Sequence, residues 1–249
     1  MVLENRFLML GDASFTVEFA GLKGIAGARQ VRQLRDRIQN KVDNGQLDGI
    51  VDLISASRSL TVCLDPEQMN FSEVRDVVEQ LAKVPFTEIS EGFERWILPV
   101  CYEGENAPDL EDVAKQTNLT TEEVVTLHGS MVYDILFIGF LPGFPFLAEV
   151  PEILRLPRRP SPRLRVPAGS VAIANDQTAI YPWESPGGWH LLGRCPVPLF
   201  NPTWSSPSLL TPGGQVSFEA VSENDFKTIQ ADIASGRIAQ THFRSEKES

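Results

Sequence analysis

Residues 142–202, PGFPFLAEVPEILRLPRRPSPRLRVPAGSVAIANDQTAIYPWESPGGWHLLGRCPVPLFNP, decide the fold, because they hold 12 of the chain's 18 prolines. Proline lacks an N–H and clashes with the preceding helical turn, so long helices are excluded here. Short apolar runs such as 171–174 and Leu199-Phe200, separated by Pro-Gly turns, read instead as strands of a closed or nearly closed β-barrel.

Upstream of this stretch, the pattern breaks at Pro85 and a strand over Trp96 to Tyr102 opens the barrel domain. Two short helices follow, one from near Asp109 and one announced by Thr120 and Glu123, a capping box ahead of Val124, Val125 and Leu127. They have the outline of a helix-turn-helix. Residues 103–123, however, carry seven acidic side chains against Lys115 alone, a surface that repels phosphate, so a helical insertion packed on the barrel is expected.

Residues 1–90 alternate between strand and helix periods. Phe15, Val17 and Phe19 share one face of a strand, Val31, Leu34, Ile38 and Val42 form the stripe of an amphipathic helix, and Leu60, Val62 and Leu64 alternate again. A further strand is expected from Gly49 to Ser55, and Asn70 with Glu73 starts a helix carrying Val74, Val77 and Leu81. Gly21, Gly24 and Gly27 mark a loop into the first helix. The expected fold is an α+β domain of the ferredoxin-like, split βαβ kind over residues 1–90 and a mainly β barrel over 91–240. The polar tail, 241–249, is expected to fray from about Gln240.

Composition bounds the function. The chain has 249 residues, a formal net charge of -11 and 22% charged residues, which argues against a general nucleic-acid binder. The longest uncharged stretch of the apolar centre, Ile135 to Ala148, is shorter than the roughly 18 residues of a membrane span. The N-terminus lacks the pattern of a secretion signal. Three widely spaced cysteines, Cys63, Cys101 and Cys195, fit neither a disulfide framework nor paired zinc ligands. These features predict a cytoplasmic protein that contacts neither membrane nor nucleic acid.

No P-loop, Gly-x-Ser-x-Gly elbow, HExxH helix or CxxC pair is present, and three histidines argue against a His-rich metal site, so no metal ligands are assigned. The chemistry gathers in the barrel. Arg155, Arg158, Arg159, Arg163 and Arg165 face a single Glu152 between Pro151 and Arg165, an island suited to carboxylate or phosphate or, alternatively, to pairing with surface acids. Arg158 and Arg163 are candidate anion ligands. Pro142, Gly143, Phe144 and Pro145 are stiff and aromatic enough for a pocket wall, joined by Tyr181, Gly187, Gly188 and Trp189. His128, Arg165 and Gln177 are the catalytic candidates, although a lone histidine at a helix end is also a common core residue.

His128, Tyr133, residues 139–147, Pro157-Arg158-Arg159, Pro162-Arg163, residues 166–171, Gln177-Thr178, Tyr181-Pro182 and residues 185–189 together resemble the family known as allophanate hydrolase subunit 1, KipI or the 5-oxoprolinase B-subunit. Gly11-Asp12, residues 58–60 and 108–110 also resemble it. The resemblance implies a ferredoxin-like first domain and a cyclophilin-like barrel related to the carboxyltransferase region of urea carboxylase. It further implies a hydrolase subunit that binds ATP, with magnesium, within a complex. In that complex a homologous barrel partner, of the 5-oxoprolinase C-subunit or allophanate hydrolase subunit 2 type, and in the bacterial 5-oxoprolinase a third subunit, open 5-oxoproline to glutamate with ATP and water. The KipI branch implies the alternative, inhibition of a sensor histidine kinase through its dimerisation helices. The chain departs from the pattern at Glu103, Ala174-Asn175-Asp176, Ala179, His190 and Asn201.

Overall fold

The computed structural model describes residues 5–68, 70–85 and 94–245. It divides into two units, Met1–Glu91 and Gly92–Ser249. The boundary expected near residue 90 lies outside the described residues.

In the first unit, β1 (Arg6–Met9), β2 (Ser14–Glu18), β3 (Ile50–Ser55) and β4 (Ser59–Leu64) form a sheet of order β1-β2-β4-β3, with α1 (Gly24–Asp43) and α2 (Phe71–Lys83). β2 and β3 each pair antiparallel with β4 and so run parallel to one another. The β2-α1-β3 connection therefore straddles β4, which is the split βαβ read from the periodicity. Strand β1 was not anticipated, and it fills the free edge of β2. Phe15, Val17, Leu34, Ile38, Leu60, Val62, Val74 and Val78 close the core between sheet and helices. Gly24 and Gly27 lie in the first turn of α1 rather than in a loop before it.

In the second unit, β5 (Arg95–Cys101), β6 (Tyr133–Ile138), β7 (Pro145–Ala148), β9 (Ser170–Ala174), β10 (Gln177–Ile180), β12 (His190–Arg194) and β13 (Gln215–Val221) close a barrel in the order β10-β7-β6-β13-β5-β12-β9. β8 (Arg163–Val166) and β11 (Ser185–Gly187) form a separate two-stranded ribbon. The β9–β10 hairpin turns on Asn175-Asp176, where Asn175 takes φ 54°. Asparagine tolerates this left-handed conformation better than most residues with a side chain. α3 (Leu110–Thr117) and α4 (Thr121–Gly129) form the inserted pair, and α4 opens on the expected capping box, with Glu123 N–H donating to Thr120 Oγ1 at 3.1 Å and Thr120 N–H to Glu123 Oε2 at 2.7 Å.

Period-two alternation sorts the barrel residues. Val171, Ile173, Ile180, Leu147, Leu98, Val100 and Leu192 fill the interior. After β13 the chain continues into α5 (Glu223–Ala234) and a short 3-10 turn, Gln240–Phe243. For residues 240–245 this corrects the expected fraying: Phe243 packs on the barrel core, and Ser245 N–H donates to the Arg95 carbonyl at 2.8 Å; the rest of the tail, 246–249, lies outside the described residues.

Candidate functional site

The motif residues meet on the outer face of the barrel. Register places Phe137, Phe146, Ala179, Ala172 and Leu191 side by side across β6, β7, β10, β9 and β12. Ala148, Gln177 and Ala174 make the adjoining row. The alanines leave a shallow floor, on which the rings of Phe144, Tyr181 and Trp189 pack with Val166 and Leu191. Phe144 meets Tyr181 edge-on at 5.0 Å between centroids, Phe146 meets Trp189 at 6.0 Å, and Phe137 stacks on Phe146 at 4.3 Å. Phe144, Tyr181 and Trp189 are buried, so the wall expected beside a pocket is itself a packed cluster, with Phe137, Phe146 and Gln177 half-buried at its edge.

Backbone approach explains two of the candidate glycines. A Cβ on Gly187 would lie 2.4 Å from the Tyr181 hydroxyl, and one on Gly143, at φ 77°, would lie 2.6 Å from Phe200 Cβ. Gly188 has only ordinary contacts around it. Pro145 is buried at the start of β7, whereas Pro142 is exposed and its carbonyl accepts from Trp183 Nε1–H at 3.1 Å. Burial raises the Tyr181 hydroxyl above its usual range, an effect that nearby Arg158 opposes.

The arginine island does not converge on an open anion site. Asp109, whose side chain is 2% exposed, accepts from Arg159 Nη1 at 2.7 Å, from Arg163 Nη1 at 2.8 Å and Nη2 at 2.6 Å, and from Leu191 N–H at 2.7 Å. The clamp ties the start of α3 to β8 and β12. Arg155 pairs with Glu149 at 3.0 Å, and Arg165, 83% exposed, lies 3.4 Å from Glu184. This corrects two assignments: the Arg163 fork is committed to an internal carboxylate, and Arg165 points into solvent at the ribbon instead of joining Gln177. Arg158 alone of the five has no carboxylate partner among the described residues. The sequence signal for the clamp lay in Pro108-Asp109-Leu110, where one acid of a strongly acidic segment is the buried one.

His128 is corrected as a catalytic candidate by its surroundings. It is 0% exposed and stacks on Phe218 at 4.8 Å. Thr178 Oγ1–H donates to the Ala172 carbonyl at 3.1 Å, so Thr178 accepts from His128 Nε2–H at 3.0 Å, and Nδ1 accepts from the Tyr102 hydroxyl at 2.8 Å. Both ring nitrogens are satisfied by neutral partners, and burial pushes the imidazole down to about 3. His128 is a core polar residue. His190, also buried, donates from Nε2 to the Pro157 carbonyl at 2.9 Å, while its Nδ1 and Arg159 Nε are buried without hydrogen-bond partners among the described residues.

Two concavities escaped the sequence reading. A groove of about 370 Å³ is lined by Glu94, Trp96, Trp204, Ser208, Arg244 and their neighbours, and a smaller one of about 150 Å³ lies behind Tyr181, against Arg194 and Gln230. Among the described residues no group of three or more His, Cys, Asp or Glu side chains is placed to hold a metal ion, and no helix is long and apolar enough to cross a membrane.

Comparison with known proteins places these features in a family. The family described as carboxyltransferase domain, subdomain C and D, matches residues 5–210. The chain belongs to this family. It is 39% identical over 241 residues to the 5-oxoprolinase B-subunit of Bacillus subtilis (strain 168), covering 91% of this chain and 97% of that one. Among solved structures, TTHA0988 superposes with a TM-score of 0.71 at 36% identity, over 84% of this chain but 40% of the longer TTHA0988 chain. The K. lactis urea amidolyase superposes with a TM-score of 0.75 at 20% identity, over 94% of this chain and 16% of that one, a likeness of fold. The resemblance read from the motifs is thus borne out, and a carboxyltransferase-type barrel is the fold on which they sit.

Proposed function

We propose that this chain is one subunit of a heteromeric, ATP-dependent amidohydrolase that converts 5-oxoproline, ATP and water to glutamate, ADP and phosphate. The observation that carries the reading is the 39% identity to a 5-oxoprolinase B-subunit across 97% of that protein. The site chemistry supports a shared active centre. Gln177 offers a half-buried side-chain amide without a partner among the described residues. A planar lactam presents C=O beside N–H, and one amide can donate to the first and accept from the second. Arg158 is the guanidinium left for a substrate carboxylate or a phosphate.

A triphosphate needs more than this single cation, since the other arginines of the island are held by Asp109, Glu149 and Glu184. The residues of this chain therefore fit one part of an ATP site, and the remaining donors and magnesium ligands come from the homologous barrel partner. The three cysteines are free, in keeping with a reducing, cytoplasmic compartment.

The deciding measurement is 5-oxoproline-dependent ATP hydrolysis by the chain alone and by the chain reconstituted with its partner subunits. Turnover by the assembly only is expected. Robust turnover by the isolated chain, or none by the assembly together with inhibition of a sensor histidine kinase, overturns the proposal.

A further inference from the structure

The Arg158 side chain is exposed, yet the backbone around it is fixed at three points. Asn175 N–H donates to the Leu156 carbonyl at 2.6 Å, His190 Nε2–H to the Pro157 carbonyl at 2.9 Å, and Arg159 N–H to the Gly188 carbonyl at 2.8 Å. Pro157 and Pro160 further stiffen the segment by fixing φ on either side. These bonds lay residues 156–159 across the ends of two strands, for Asn175 lies in the β9–β10 turn, two residues before Gln177, and His190 opens β12. Arg158, which has no carboxylate partner among the described residues, thus springs from a backbone tied to the hairpin that carries Gln177. It is also close enough to Tyr181 to oppose the effect of burial on that hydroxyl.

Only one of the three bonds comes from a side chain, and that side chain is a costly choice for packing alone. His190 is 5% exposed, and its Nδ1 has no hydrogen-bond partner among the described residues. A buried polar atom left unpaired is destabilising, whereas an apolar residue of similar size fills the space without that cost. What the imidazole supplies is the Nε2–H bond. Arg159, on the far side of Arg158, is held independently by Asp109 at 2.7 Å. Pro157 has no N–H, so its carbonyl is its one backbone hydrogen-bonding group, and His190 holds it.

We propose that His190 is a positioning residue: by holding the Pro157 carbonyl it presents the Arg158 guanidinium, on the side of the barrel that carries Gln177, to an oxyanion of the reactants. That oxyanion is the carboxylate of 5-oxoproline or a phosphate of ATP, and the inference rests on the function proposed above. His190 itself touches neither reactant. A guanidinium whose stem starts from a fixed backbone has less freedom to lose on binding. A contact made equally in ground and transition states is read in KM and not in kcat.

The test is steady-state kinetics of the reconstituted complex, read separately against 5-oxoproline and ATP, beside thermal melts. His190→Ala is expected to raise one of the two KM values about fivefold or more, with kcat within about twofold of the parent. A rise for 5-oxoproline marks its carboxylate as the ligand of Arg158; a rise for ATP marks the phosphate. His190→Gln keeps a side-chain N–H donor and should bring that KM back to within about twofold. Arg158→Ala should raise the same KM about tenfold or more. In that background His190→Ala should add nothing further, since both act through one contact. His190→Leu fills the volume without the donor; it carries the same expectation and replaces His190→Ala if that variant does not fold. A parent complex that turns over, with His190 variants that lower only the melting temperature and leave both KM values unchanged, overturns the positioning role and leaves the proposed function standing. Effects of His190 and Arg158 that multiply independently overturn it too. A parent complex without 5-oxoproline-dependent turnover overturns the proposed function, and this inference with it.

Discussion

Replacing Asp109 with alanine tests whether the clamp organises the barrel's outer face. The substitution removes a carboxylate that accepts four hydrogen bonds, three of them from Arg159 and Arg163 and one from Leu191 N–H. It leaves two guanidinium groups side by side, only 27% and 25% exposed, and an orphaned buried amide. Breaking a buried ion pair by deleting one partner costs about 3–5 kcal/mol. Water reaches both arginines in part, so about 2–4 kcal/mol is the expected loss here. For a domain of this size, where each kcal/mol shifts the midpoint by about 2–4 °C, the melting temperature falls by about 4–16 °C. Asp109→Asn keeps the shape but turns an amide N–H toward the guanidinium groups and should lose a comparable amount. Adding Arg163→Ala to Asp109→Ala removes one stranded charge, so the double variant should be less destabilised than the sum of the two single ones. Thermal melts of the four proteins settle the matter. A midpoint for Asp109→Ala within about 1 °C of the parent, or strict additivity in the cycle, refutes the clamp as a stabilising unit.

Three further outcomes are expected. Because burial lowers the His128 pKa from 6.5 to about 3, the unfolded chain takes up a proton that the folded chain refuses as pH falls; this part of the stability is fully present above about pH 6.5 and drains away toward pH 3. His128→Gln should therefore be less stable at pH 7 yet show a flatter decline of melting temperature between pH 6.5 and 4, and an unchanged slope would count against the buried neutral imidazole. Gly187→Ala drives a methyl group to 2.4 Å from the Tyr181 hydroxyl, whereas in Gly188→Ala it meets Pro162 at 3.6 Å; melts should show a loss of about 1–3 kcal/mol in the first and near neutrality in the second. Arg165→Ala, at an exposed ion pair, should shift stability by less than about 1 kcal/mol, while Gln177→Ala should abolish 5-oxoproline-dependent turnover of the reconstituted complex with its melt unchanged.

Why some of this was legible in the sequence follows from which interactions are local. Period-two alternation at Leu60, Val62 and Leu64, the three-and-four spacing from Val31 to Ile38, and the Thr120–Glu123 capping box each report structure within a few residues, and each appears where expected. β1 was missed because Arg6–Met9 is an edge strand with a largely exposed face and lacks the buried alternation that betrays inner strands. The arginine island was half-read for a different reason. Its charge is visible in the chain, but the carboxylate that uses it lies more than forty residues upstream, with 54 residues separating Asp109 from Arg163. Periodicity cannot report a pair of that separation.

His128 and Gln177 show how one strand register divides scaffold from site. Thr178 faces into the barrel, where its hydroxyl completes the polar chain through His128, while Gln177, one residue earlier, faces out beside Ala148 and Ala174. A side chain inside a packed barrel can contribute only through what it holds in place, because no substrate reaches it. One outside must be justified by solvent or by a ligand. The motif that looked uniform along the sequence is therefore two sets interleaved residue by residue: an inward set whose loss is expected in melting curves, and an outward set that includes Gln177, whose loss is expected in binding or turnover. Substitutions at adjacent positions of β10 should separate on that basis. Thr178→Val, which removes a buried hydroxyl with two hydrogen bonds, should lower stability by about 1–3 kcal/mol, and in the assembled complex its turnover per folded molecule should remain within about twofold of the parent, since less than about 0.4 kcal/mol of transition-state stabilisation is then at stake. A Thr178→Val complex that melts normally and fails to turn over would place the active chemistry inside the barrel and reverse the division drawn between the two faces.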